Sequence, residues 1–229
     1  MAGVTLRRAR SPEDKAARRQ AVLDEAWRLF QAKPWAELTM AQVATAVGLS
    51  KAALYRYFDT KEALFLAVVE TQLEAWLGGL GRRLEALGPS ARAEAVADAL
   101  GASLGARPAM VRLLSLLHVA LEQNLPQAEA LRFKRSLHAA LTRLGGQLAG
   151  AAGLDGPAAG LQAVLCIHAL IIGLWQVSDV PPRLARLLEE GGLSALRVDF
   201  QPALRQAVAA LLRGLAATAA APRVRRAAR

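Results

Sequence analysis

The sequence predicts an all-α protein, with an N-terminal three-helix helix-turn-helix domain ahead of a larger C-terminal helical domain. Three observations carry that prediction. Hydrophobic residues make up 54% of the 229 residues, and alanine and leucine dominate them, which favours helix packed on helix. Apolar residues recur at helical spacing between recognisable caps and breakers. No run alternates with the period of two that a half-buried strand requires, and no internal repeat is evident.

The elements follow in order. Residues 1–10 read as a basic flexible arm. Ser11-Pro12-Glu13-Asp14 is a helix start, with a capping serine, a proline in the first turn and two acids at the positive end of the dipole. That helix is expected to reach about Ala32, burying Val22, Ala26, Leu29 and Phe30, before Pro34 stops it. Thr39 caps the next helix, and Gln42 three residues on completes a capping box. Gly48 ends it after two turns. Ser50 caps a third helix containing Leu54, with Phe58 packed at its end, and Asp59-Thr60 starts a fourth, predicted over about 60–77. There Leu64, Phe65, Val68 and Trp76 face inward, and Gly78, Gly79 and Gly81 are expected to loosen its far end. Further helices are predicted at about 91–105, 109–123, 127–149, 157–177 and 200–217, with short helical pieces in 183–190. The domains expected are therefore 11–62 for the helix-turn-helix and 63–221 for the helical body, with a basic tail over 222–229.

Residues 39–58 carry the function. Two short helices joined by Gly48-Leu49 must cross closely, and Ala44 supplies the small side chain where they touch. Gly48 allows a turn at positive φ, and Leu49 plugs the wedge. With Val43, Val47 and Leu54 turned inward, the third helix stands out as a rod that fits a major groove. Ser50, Lys51, Tyr55, Arg56 and Tyr57 give its outer face hydrogen-bond donors, which a generic buried helical hairpin would have no reason to carry.

Charge distribution agrees. The formal net charge is +10; residues 1–62 hold 11 Lys/Arg against 7 Asp/Glu, 222–229 add four arginines, and 63–221 are nearly neutral. A phosphate backbone is the usual partner of such basic ends, an acidic membrane the main rival, and the tail alone would equally aid solubility. The single cysteine, Cys166, excludes an intrachain disulfide framework and fits a reducing compartment, and the opening residues lack the apolar core of a signal peptide. The expected location is cytoplasmic. The uncharged run Gly156–Ser178 is long enough to span a bilayer. Gln162, His168 and Gln176 interrupt it, however, and a buried or subunit-interface helix reads the same way, so no membrane is expected. Cys166 and His168 lie about 200° apart around a helix and cannot clasp one metal ion. With no phosphate-cradling loop, nucleophile elbow or buried carboxylate pair, neither a cofactor nor an enzyme is expected.

The run LTMAQVATAVGLSKAALYRYFDTKEALFLAVVE, Leu38–Glu70, together with the helix from Lys15 to Phe30, resembles the N-terminal domain of the TetR (AcrR-like) transcriptional regulators. The resemblance implies DNA-contacting roles for Thr39, Ser50, Lys51, Ala52, Ala53, Tyr55, Arg56, Tyr57 and Lys61, with Thr39, the two tyrosines and Lys61 on phosphates. Position 52 is usually glycine in the family and is alanine here. Ala53 can offer only a methyl contact to thymine, which leaves Lys51 and Arg56 as the base readers. Lys33-Pro34-Trp35 replaces the family's usual glycine turn and should stiffen it.

The resemblance further implies a C-terminal domain that dimerises through 157–177 and 200–217 and encloses a small-molecule pocket among 91–149 and the inner side of 157–177. His118, Glu122, His138 and Trp175 are the candidate polar groups, within a lining that Leu113, Leu114, Leu117, Leu121 and Leu137 would make apolar. The expected function is a repressor that binds a pseudo-palindromic operator in double-stranded DNA as a homodimer and is released by a small hydrophobic effector. The alternative is a constitutive or architectural DNA-binding protein without an effector.

Overall fold

A computed structural model describes residues 11–123 and 125–220. The basic arm expected over 1–10 and the basic tail over 222–229 lie outside the described residues. Within them the chain is helical and contains no strand: α1 Pro12–Ala32, α2 Met40–Ala46, α3 Lys51–Tyr55, α4 Lys61–Leu87, α5 Ala93–Gly105, α6 Pro108–Leu116, α7 Gln127–Ala152, α8 Gly156–Ser178, α9 Pro182–Glu190 and α10 Phe200–Ala220. Single 3-10 turns occupy Trp35–Glu37 and Ser194–Leu196.

The chain divides into two compact units that are not consecutive stretches. Residues 11–73 group with Leu116–Phe133, and Glu74–Ser115 group with Lys134 onward. Residues 63–73 and 116–133, which the sequence reading assigned to the helical body, thus lie with the helix-turn-helix.

In the first unit, Val22, Leu23, Ala26, Leu29 and Phe30 form the buried stripe of α1. Phe30 meets Phe65 of α4 with ring centroids 5.7 Å apart. Leu64, Phe65, Leu66 and Val68 of α4 are buried, as are Leu117, Leu121 and Phe133 of the later segment. Arg132 of that segment donates two hydrogen bonds to the Glu70 carboxylate, at 2.9 and 3.2 Å. Residues Leu117–Leu121 form a π-helical turn where the sequence reading expected a continuous α-helix to 123. His118 within this turn and Glu122 just after it lie side by side, at the i, i+4 spacing.

In the second unit the main departure from expectation is the length of α4, which runs through Gly78, Gly79 and Gly81 to Leu87. The reason is tertiary. Trp76, Leu77, Leu80 and Leu84 keep a buried helical stripe going. The Trp76 indole N–H donates to the Ser103 hydroxyl at 3.0 Å, and that hydroxyl donates to the Leu100 carbonyl at 2.7 Å. Gly81 is buried, and a Cβ there would fall 2.4 Å from Gln147 Oε1. The glycine loosens nothing; it lets a neighbouring side chain approach. Gly145 and Gly160 bring α7 and α8 closer still, since a Cβ on Gly160 would lie 1.8 Å from the Gly145 carbonyl oxygen.

Among the described residues two single helices, α4 and α8, are long and apolar enough to cross a membrane. They differ in cover: 61% of the apolar window of α4 is buried, against 28% for α8.

Candidate nucleic-acid interface

The interface is built from local hydrogen bonds outward. Thr39, in extended backbone, accepts from the Gln42 amide through Oγ1 at 3.3 Å, and the Gln42 side chain accepts from the Thr39 amide at 3.1 Å. This reciprocal cap fixes where α2 begins. Met40, Val43 and Ala44 turn inward. At the other end Gly48 adopts φ +67° and the Leu49 amide donates to the Ala44 carbonyl at 2.8 Å, closing the turn. Leu49 itself is half-buried in the corner it was expected to plug.

Ser50 then caps α3, accepting from the Ala53 amide at 3.1 Å. A helix of five residues has too little internal hydrogen bonding to persist alone. It is held by Leu54, which is fully buried, and by Phe58, whose amide and that of Tyr57 both donate to the Leu54 carbonyl. The Arg19 guanidinium of α1 covers the outer side of the Phe58 ring, 5.1 Å from its centroid.

With the inner face so fixed, the outer face is determined. Thr39, Ser50, Lys51, Ala52, Tyr55 and Arg56 are exposed, and Ala53 and Tyr57 are half-buried. Lys51 holds its ammonium 5.8 Å from the Tyr55 ring centroid, so one cation and one phenol share a patch. The cluster presents charged and neutral donors along two turns with no carboxylate on α3, a surface suited to polyanionic backbone and base edges.

Lys61 stands apart from this set. It is the first residue of α4, and its ammonium donates to the carbonyls of Trp35 at 3.0 Å and Leu38 at 3.1 Å. It also sits over the Trp35 ring, 3.8 Å from the centroid. Burial pushes this ammonium down from its ordinary range, with Glu62 opposing. The side chain therefore ties the 35–38 turn to the start of α4, and what it leaves facing outward at that helix end is backbone N–H. Thr60 caps the same end, accepting from the Ala63 amide at 3.0 Å. Sequence reasoning noted Trp35 only as part of a stiff loop. It did not anticipate the ring as a platform for Lys61, stacked in turn edge-on against Phe65 at 5.1 Å. Arg19 over Phe58 was missed too; the only signal was an arginine two turns into a helix whose apolar stripe was already assigned.

The four candidate effector groups do not fall within one compact unit. His118 Nδ1 and Glu122 Oε2 lie 3.2 Å apart in the first unit, with the imidazole exposed. In the second unit His138 is exposed on α7, while Trp175 is half-buried and meets Phe200 edge-on at 5.5 Å. Leu113, Leu114, Leu117 and Leu121 are buried and Leu137 is half-buried. Among the described residues no group of three or more His, Cys, Asp or Glu side chains is arranged to hold a metal ion.

Comparison with known proteins assigns the surface to a class. Residues 22–68 match the bacterial regulatory proteins of the tetR family, and residues 70–219 match the Tetracyclin repressor-like C-terminal domain. The nucleoid occlusion factor SlmA of Marinobacter nauticus is 41% identical over 61 residues, which is 27% of this chain and 31% of that protein. An HTH-type transcriptional regulator of Mycobacterium tuberculosis is 44% identical over 72 residues, 31% of this chain and 34% of the relative. The chain thus covers about a third of the length of these curated relatives. A TetR transcriptional regulator from Rhodococcus sp. RHA1 shares the fold, with a TM-score of 0.54 at 21% identity over 88% of this chain and 97% of that one. A helix-turn-helix with an outward-facing donor set, joined to a matching C-terminal domain, is the equipment of a DNA-binding transcription factor and not of an enzyme, and the chain belongs to the TetR family of bacterial regulatory proteins.

Proposed function

We propose that the protein is a ligand-responsive repressor that acts in the cytoplasm, binding a pseudo-palindromic operator as a homodimer and leaving it when a small hydrophobic effector binds. The observation that carries the DNA half of this reading is the geometry of α3: a rod pinned by Leu54, with Lys51, Tyr55 and Arg56 exposed along it. Lys51 and Arg56 read bases. Thr39, Ser50, Tyr55, Tyr57 and the Lys61 amide meet phosphates, and Ala52 and Ala53 set how closely the backbone approaches the groove. Five residues read too few base pairs for useful specificity, so two copies on a two-fold site supply the rest.

In this reading residues 11–62 bind DNA, while 63–221 dimerise and hold the effector. The exposed apolar residues of α8, Leu165 and Val177 among them, support dimerisation there. Release works by altering the spacing of the paired recognition helices. An effector that prefers the released state by about 3 kcal/mol lowers operator affinity more than a hundredfold.

A second reading has its own support. One relative bears the name of a nucleoid occlusion factor and matches through about a quarter of this chain, which favours a constitutive, architectural binder. Binding-site selection from random DNA, followed by displacement with lipophilic acids, acyl thioesters and aromatic compounds, separates the two. Two-fold sites emptied by one compound class establish the repressor reading. Sites that no compound empties replace it with the architectural one.

A further inference from the structure

Residues 182–196 carry apolar surface that the chain leaves uncovered. α9 buries none of its residues; Leu184 and Leu187 are 47% and 54% exposed, and Leu193 and Leu196 just beyond are 50% and 66% exposed. Leu184, Leu187 and Leu188 share one face by helical spacing. Arg183 and Glu190 lie two turns apart along the same edge of that face.

The order of charge along α9 is unusual. Arg183 and Arg186 stand in its first half and Glu189 and Glu190 close it, so each sign sits at the helix end where the dipole disfavours it. Within the chain, Arg197 forms an ion pair with Glu189. Among the described residues no ion pair is seen for Arg183 or Glu190. A helix that is basic then acidic, with leucines between, is complementary to itself when reversed. An antiparallel copy brings opposite charge to each end, sets the two dipoles in opposition and covers both apolar faces at once.

We propose that α9 docks against α9 of a second copy of this chain, antiparallel across a two-fold axis near its middle. Leu184 packs on Leu187 of the partner subunit, and Arg183 pairs with Glu190 of the partner subunit, each contact occurring twice by symmetry. The contact rests on the homodimer reading above and adds to it a feature of this chain's own sequence, which also fixes the direction in which two subunits meet.

The test is sedimentation velocity of the full chain over a range of concentrations, with circular dichroism to verify helical content. Four variants are compared: R183E, E190R, the double reversal R183E/E190R, and L184S/L187S. Each single reversal should weaken dimerisation about tenfold, because an exposed pair is made repulsive at two symmetric places. L184S/L187S should weaken it at least as much, and the double reversal should return it to within about threefold of wild type. A wild-type dimer indifferent to all four variants overturns the α9 contact and leaves the homodimer reading intact. Single reversals that the double reversal does not repair overturn the antiparallel pairing. A wild-type chain that stays monomeric throughout overturns the homodimer reading and, with it, this contact. Loss of anionic-vesicle binding in L184S/L187S, with dimerisation untouched, assigns the face to a lipid surface instead.

Discussion

The helix-turn-helix and the segment from α8 to α9 both expose one face of a helix, and they expose opposite things. On α3 the one large aliphatic side chain, Leu54, is inside, and the outward residues are Lys51, Ala52 and Tyr55. On α8 the outward residues include Leu165 and Val177 and no charge at all, and on α9 two leucines, Leu184 and Leu187, face outward between charged flanks. The first surface keeps a full hydration shell until a polyanion replaces it. The second is costly in water, and the proposed dimer would cover it with another apolar surface. Under the proposed function, a single chain distinguishes its two classes of partner by which half of an amphipathic helix it hides.

The largest expected effect breaks the first of these surfaces from beneath. Leu54→Ala removes the side chain that pins α3 and should cost about 2–5 kcal/mol of stability. DNA binding should fall with the loss of near-ultraviolet signal from the first unit. Normal stability with weakened binding would mean that α3 is held by its caps alone.

Next come Lys51→Ala and Arg56→Ala, which leave the fold intact and should each relax sequence preference by about 1–3 kcal/mol per lost base contact. Competition between selected and scrambled duplexes measures this. Uniform loss across all duplexes would move both residues to the phosphate backbone.

Lys61→Met keeps the aliphatic stem over Trp35 and removes the ammonium from two carbonyls. It should cost about 1–2 kcal/mol in stability and leave the salt dependence of binding nearly unchanged. An ammonium that reached phosphate would instead flatten the salt slope by about one unit per half-site. The sequence reading favoured that second outcome; the contacts to Trp35 and Leu38 favour the first. The smallest effect is Arg132→Ala, which breaks a half-exposed ion pair with Glu70 and should cost under about 1 kcal/mol. A larger loss by thermal unfolding would show that the 116–133 segment depends on this one contact for its place in the first unit.

How much of this was legible in the sequence depended on the range of the interactions. The caps at Ser11, Thr39 and Ser50 and the turn at Gly48 are written within four residues, so both the helix starts and the outer face of α3 could be read directly. The end of α4 could not. Glycines at 78, 79 and 81 look like a helix terminus until Gln147, 66 positions beyond Gly81, is seen to need the space. The role of Lys61 was hidden for the same reason, since the carbonyls it meets are 23 and 26 residues away. The π-turn at Leu117–Leu121 has no local signature, since its five residues are ordinary helix formers.

The brevity of α3 has a consequence in time. A five-residue helix that owes its order to Leu54 and Phe58 has no opening equilibrium of its own. The amides of Leu54, Tyr57 and Phe58 should therefore exchange with solvent only when the unit beneath them opens, and all at the same slow rate. A peptide copied from residues 50–58 would lose that persistence within nanoseconds. Transplanting this protein's sequence preference into another scaffold requires moving the α1–α2 platform along with the rod.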